Sequence, residues 1–302
     1  MIELKNVTKS FDNKAVLTDI NIELKNGSVY GIAGSNGAGK STLLRLITGI
    51  YKPDKGEITA DGEPVWENPA VKCSFAFVPD EPYFASGASI KSMAETYRLL
   101  YPSFDKEKCL TLSTDSGLDY RKAISSFSKG MKRQAALILA LSQNADHLFF
   151  DETFDGLDPV MRTRFKNLIN EEVISRGATA VITSHSLREL EDVCDELVII
   201  HNGNIVYENA IDVIKSTYFK VQTAYDGPKN EEDFEGLEIL DKSKNGSVFE
   251  LIIKGCRAEI TDKLRKTQPV LLDISPLSLE EFFVYELKTK GYSAEPVKGG
   301  LR

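Results

Sequence analysis

Residues 34–42 read GSNGAGKST. Gly34, four spacers, then Gly39, Lys40 and Ser41 form the pattern G-x-x-x-x-G-K-[ST], with an apolar run before it and LLRLI after it. Glycines let successive N–H groups turn to one side, so the stretch Ser35, Asn36, Gly37, Ala38 and Gly39 makes a concave nest for an anion. A helix starting there adds its unsatisfied N–H groups and its positive dipole end. Lys40 supplies a mobile charge for the outer phosphates of a nucleotide. The Ser41 hydroxyl can ligate Mg²⁺, and Thr42 can reach a neighbouring phosphate.

A second set of groups lies further on. His147-Leu-Phe-Phe150 is an apolar run that ends in Asp151 and Glu152. At the carboxyl end of a parallel strand, where such sheets bind ligands, Asp151 would hold the Mg²⁺ shell. Glu152 would polarise the water that attacks the terminal phosphate, as base or orienter. Taken alone, two acids after an apolar run also suit a helix cap or a surface loop.

The patterning predicts the elements that carry these groups. Val29–Ala33, Phe75–Val78, His147–Phe150 and Ala178–Thr183 read as short apolar strands, and Val29–Ala33 feeds the glycine loop. Thr42–Ile50, Lys132–Gln143, Val160–Arg176 and Leu187–Val193 have helical spacing. Residues 88–123 are mostly helical, with a break at Pro102. GIYKPDKGEITADGEPV reads as an antiparallel hairpin region, and Leu197–His201 with Asn204–Tyr207 as a hairpin about Asn202-Gly203. Strands alternating with helices predict α/β architecture with a largely parallel central sheet. Beyond about residue 215 the texture changes, and VFELIIKG, RAEITDKLRK, VLLDIS and LEEFFVYELK predict β-α-β-α. DGPKNEEDFEG reads as a loop there, and the tail AEPVKGGLR as frayed.

Taken together, the glycine loop, the FFDE strand, Asp155-Gly-Leu-Asp158 and Ser184-His185 resemble the ATP-binding subunit of an ABC transporter over residues 1–215, in the family's order. The resemblance implies a P-loop NTPase fold at 1–214: a RecA-like core, an antiparallel β subdomain and a helical subdomain near 82–130. Residues 215–302 would form a small α+β accessory domain. Phe127-Ser-Lys-Gly-Met131 stands where the family's signature Leu-Ser-Gly-Gly-Gln belongs. Ser128 and Gly130 match it; Phe127, Lys129 and Met131 depart, as in ABC-2-like export subunits. In the family two subunits pack head to tail, and the signature of one caps the γ-phosphate held by the other. Lys129 either adds charge at that phosphate or points to solvent, and a serine before a helix is also an ordinary N-cap.

By the same resemblance His185 is the switch histidine that steadies the attacking water, and Asp155–Asp158 is the D-loop. Phe11 stacks on adenine or belongs to the core, with Val16 lining the same pocket. Asp80, in Phe77-Val-Pro-Asp80-Glu81, takes the place of a glutamine that joins Mg²⁺ and water to the membrane partner. A carboxylate there accepts hydrogen bonds or ligates metal but cannot donate. ATP and Mg²⁺ are the implied cofactors. The implied partners are transmembrane permease subunits and a second ATP-binding subunit, in a homodimer or heterodimer at the cytoplasmic face of the membrane.

Composition sets the outer bounds. The chain has 302 residues, 42% hydrophobic and 27% charged, with a formal charge of −8. That fits an ordinary globular protein and argues against a nucleic-acid partner. No apolar run approaches the ~20 residues of a membrane helix. The four cysteines form no CxxC, so reduced, mostly buried thiols are expected. Two other functions use the same motifs: a soluble ATPase of the same family acting on DNA or ribosomes, and a regulatory subunit that holds ATP without turnover.

Overall fold

The computed structural model describes residues 1–154, 156–227 and 234–289. Asp155 of the expected D-loop, the middle of the expected DGPKNEEDFEG loop and the tail lie outside the described residues. The chain divides into two compact units, Met1–Glu208 and Asn209–Arg302.

In the first unit, β3 (Val29–Ala33), β7 (His147–Asp151) and β8 (Thr179–Thr183) have every residue buried. Strands so apolar on both faces belong inside a parallel sheet covered on both sides. They join β6 (Phe75–Val78), β9 (Glu196–His201) and β10 (Asn204–Ala210) in the order β10-β9-β3-β8-β7-β6. The pairs β3–β8, β3–β9, β7–β8 and β6–β7 are parallel.

A second sheet is antiparallel, in the order β2-β1-β4-β5: β1 (Ile2–Phe11), β2 (Lys14–Leu24), β4 (Lys55–Ala60) and β5 (Glu63–Pro64). Its inward residues Ile2, Leu4, Val7, Leu17, Ile20 and Leu24 share one apolar core with Ile32, Phe149, Val181 and Val198 of the parallel sheet. Leu43, Leu44, Leu46 and Ile47 of α1 (Lys40–Ile47) fill the same core.

The helices begin where caps allow. Asn68 caps α2 (Pro69–Cys73), a short helix absent from the sequence reading. Ser89 and Ser92 form a capping box on α3 (Ile90–Leu100), and Asp105 caps α4 (Lys106–Asp115) on the far side of Pro102. The next helix, α5 (Lys129–Leu141), starts three residues before the expected Lys132, because the Ser128 hydroxyl accepts a hydrogen bond from the Met131 N–H at 3.2 Å. Asp158 caps α6 (Pro159–Arg176), and α7 (Leu187–Glu191) follows β8.

The second unit holds α8 (Ile211–Thr217), β11 (Tyr218–Ala224), β12 (Glu238–Asn245), β13 (Val248–Lys254), α9 (Arg257–Lys266), β14 (Leu271–Pro276) and α10 (Leu279–Thr289). Its sheet is antiparallel, in the order β12-β13-β11-β14. Phe219, Val221, Phe249, Leu251, Ile253, Ile260 and Leu264 form its core. The β-α-β-α order expected from 248 onward is present. The strands β11 and β12 and the helix α8 were not foreseen.

Candidate active site

The parallel register gathers four chain crossings at one sheet edge. Ile32 pairs with Thr183, Asp151 with Thr183, and Val78 with Phe150. The glycine loop, Asp151-Glu152, Ser184-His185 and Pro79-Asp80 therefore all leave the sheet from its carboxyl edge, where ligands bind in such folds.

The loop's shape depends on Gly39. Its φ is +109°, and a Cβ there would stand 2.7 Å from Leu17 Cδ2 and 3.2 Å from the Val16 carbonyl oxygen. Strand β2 thus lies against the start of α1, which places Val16 beside the loop. From the other side Gly203 donates its N–H to the Ala38 carbonyl at 3.3 Å, while Thr18 donates to Gly203 O at 2.9 Å. The β9–β10 turn therefore braces the loop. Helix α1 begins with no side-chain cap and no acid in its first turn, which leaves its positive end for an anion.

Charged groups converge on this helix start. Lys40 is buried; its ammonium donates to Gly34 O at 2.8 Å and Ser35 O at 3.4 Å, and lies 3.4 Å from Glu152 Oε1. Ser41 donates to Asp151 Oδ1 at 2.9 Å, and Thr183 donates to the same oxygen at 2.8 Å. Arg45 stands 4.0 Å from Asp151 Oδ2. The Glu152 N–H donates to Thr183, reaching Oγ1 at 3.0 Å and the carbonyl oxygen at 3.1 Å. Glu152 has φ +46°, a backbone conformation that non-glycine residues adopt mainly where the surroundings force it. His185 Nδ1 is 3.8 Å from Glu152 Oε2.

Lys40, Ser41, Asp151, Glu152 and His185 thus form one continuous set. Ser35 and Thr42 flank it half-buried, Ala38 and Gly39 are buried, and Asn36 and Gly37 face solvent. Phe11 ends β1 partly exposed, edge-on to Tyr51 with ring centroids 5.3 Å apart. Ser128 acts as the N-cap of α5. A Cβ on Gly130 would stand 3.0 Å from Gly156 O, so the signature turn abuts the loop after β7. Asp80 is held by Arg133, whose Nη2 lies 2.5 Å from Asp80 Oδ1. Among the described residues no hydrogen bond or ion pair joins Asp80 to Ser41 or Asp151.

Two residues here escaped the sequence reading. Thr183 ends an apolar strand two residues before His185, where the strand-end argument applied equally. Arg133 falls on the face of α5 that carries Leu137 and Leu141, and a cation on a buried face must have a partner.

Comparison with known proteins decides the family. A family profile described as ABC transporter matches residues 17–155. The ABC transporter ATP-binding protein YtrB of Bacillus subtilis is 30% identical over 285 residues, covering 94% of this chain and 97% of that protein. This chain belongs to the ATP-binding subunits of ABC transporters. The Nod factor export ATP-binding protein I of Bradyrhizobium diazoefficiens is 33% identical over 228 residues, 70% of this chain and 71% of that one. The solved structure of an ATP-binding subunit of an ABC transporter superposes with a TM-score of 0.66 at 26% identity, over 71% of this chain and 92% of that one. The cassette family binds ATP, hydrolyses it to power transport, and works beside transmembrane subunits. Among the described residues of this cassette no helix is long and apolar enough to cross a membrane.

Proposed function

We propose that this cassette binds Mg-ATP on the glycine loop and hydrolyses it between two ATP-binding subunits, in a homodimer or heterodimer, at the cytoplasmic face of a membrane. The observation that carries the reading is the unbroken run of contacts from Lys40 and Ser41 through Asp151 and Thr183 to Glu152 and His185.

The residues fit a hard divalent ion. Asp151 Oδ2 is buried and accepts no hydrogen bond, while Oδ1 is already taken by two hydroxyls. A carboxylate and a hydroxyl are the oxygen ligands Mg²⁺ takes when phosphates complete its shell. Ser41 and Asp151 would hold Mg²⁺, which supplies charge neutralisation at the outer phosphates. Lys40 exchanges its bonds to Gly34 and Ser35 for phosphate oxygens and so meets the charge that develops there. The same movement takes the ammonium away from Glu152 Oε1, 3.4 Å from it here, and leaves Glu152 free to accept a proton from, or orient, a water. His185 beside it holds the water's second direction. Ser128, Gly130 and the start of α5 offer a hydroxyl and N–H groups to the nucleotide on the opposite subunit. Phe11 and Val16 offer a sequence-tolerant apolar face to the base.

The permease contact is assigned to the helical region after Asp80, where Tyr83, Leu99 and Leu100 are exposed apolar residues. The direction of transport is assigned as export, on the likeness to export subunits.

Calorimetric titration of the full chain with Mg-ATP tests the binding, and steady-state phosphate release tests the turnover. Lys40→Ala is expected to abolish the heat. Glu152→Gln is expected to keep the heat and to lower kcat at least ~100-fold. No heat from the parent, or equal turnover in Glu152→Gln, would overturn the assignment.

A further inference from the structure

Arg133 is buried on the apolar face of α5. A guanidinium taken out of water must be paired and hydrogen-bonded on several edges. Three of its five N–H groups are directed at one residue. Arg133 Nη2 donates to Asp80 Oδ1 at 2.5 Å and to Asp80 O at 3.1 Å, and Nε donates to the same carbonyl at 3.3 Å. A Cβ on Gly156 would stand 3.1 Å from Arg133 Nη1, and one on Gly130 would stand 3.0 Å from Gly156 O. Three segments therefore meet at this side chain: the loop after β6, the loop after β7, and the first turn of α5. The first two are tied again behind it, where Thr153 Oγ1 donates to Val78 O at 3.3 Å.

Such a grip is directional. The guanidinium fork fixes both the side chain and the backbone of Asp80, which a flexible ammonium would not do. A carboxylate is also a stronger acceptor for a buried guanidinium than a neutral amide. We propose that Arg133 is a positioning residue that locks the Asp80 loop to the turn carrying Ser128 and Gly130, so that the two shift as one body when the site closes on nucleotide. The claim rests on the Mg-ATP reading for its kinetic consequence, but the lock itself is a property of the single chain.

The test uses Arg133→Gln, Asp80→Asn and the double variant in the full chain. Each single change is expected to lower kcat about tenfold, with KM for Mg-ATP and calorimetric affinity unchanged. The double variant is expected to lose no more than Arg133→Gln alone, because whatever Asp80→Asn weakens in the side-chain pair is already gone once the guanidinium is removed. Hydrogen exchange, read without nucleotide, is expected to quicken in Arg133→Gln at both residues 80–84 and residues 129–132. Losses that multiply in the double variant, an unaltered kcat in Asp80→Asn, or faster exchange confined to α5 would each overturn the lock. Asp80 is half exposed, so Asp80→Asn keeps the question answerable if Arg133→Gln does not fold. A parent that neither binds nor hydrolyses Mg-ATP defeats the earlier reading, while the exchange data still decide the lock.

Discussion

At the scale of single residues, Thr183 shows how one uncharged side chain can set two acids. Its hydroxyl donates to Asp151 and accepts from the Glu152 N–H, so one side chain sets both acids. Thr183 is fully buried, which makes the loss of either bond costly, because water cannot replace it. Thr183→Val keeps the shape and removes the hydroxyl. It is expected to lower kcat by ~10–100-fold, the range found when a partner behind a ligand is removed. Urea unfolding should show ~1–3 kcal/mol of lost stability. Thr183→Ser should recover most of both. Wild-type turnover in Thr183→Val would show that Ser41 and Arg45 hold Asp151 without it.

At the scale of elements, the glycine loop and helix α1 make a paired prediction. Gly39→Ala places a Cβ 2.7 Å from Leu17 Cδ2 at a φ of +109°. It is expected to cost ~1–3 kcal/mol and to abolish Mg-ATP binding, since relief requires β2 and the loop to part. Gly37→Ala has φ +78° but no protein atom within 4 Å of the new Cβ, so it should cost only the ~1–2 kcal/mol backbone penalty and weaken binding less than Gly39→Ala does. Denaturant titration with calorimetry separates the two, and equal behaviour would show that the contact with Leu17 is irrelevant. The elements most legible in the sequence were those with the same property throughout. Val29–Ala33 and Phe75–Val78 are apolar runs bounded by turn residues, and the structure starts and stops them where the run does. Strand β12 was illegible because nearly all its side chains are exposed or half-exposed, so no alternation marks it. Strand β11 alternates cleanly but follows α8 with no turn residue between them. In the site, the groups with intrinsic chemistry could be read from type and spacing. Thr183 and Arg133 could not, because their work is to hold residues 32 and 53 positions away, and only the fold makes those pairs.

At the scale of the whole molecule, every candidate site residue lies within Met1–Glu208, so a change in the second unit should alter stability without altering nucleotide affinity. Lys220 gives the sharpest test. Its ammonium on β11 lies 2.6 Å from Glu250 of β13 and 2.8 Å from Glu281 of α10, tying the sheet to the helix. The bond that Lys220 donates to Glu250, then the one it donates to Glu281, pushes its pKa from 10.5 up to about 12. Conversely, the bond from Lys220 holds the Glu250 carboxyl below its ordinary 4.5. A raised lysine contributes stability that is complete below pH 10.5 and disappears as the pH climbs through about 12. A depressed carboxyl contributes stability that is complete above pH 4.5 and disappears as the pH falls below it. Lys220→Met removes both contributions. The stability difference between parent and variant should therefore form a plateau between pH 4.5 and pH 10.5 and shrink beyond either end. All three side chains are partly exposed, so solvent screening limits the plateau to ~1 kcal/mol. Urea unfolding across that pH range measures it. A difference that stays constant beyond both ends would show that Lys220 acts through the packing of its aliphatic stem rather than its charge.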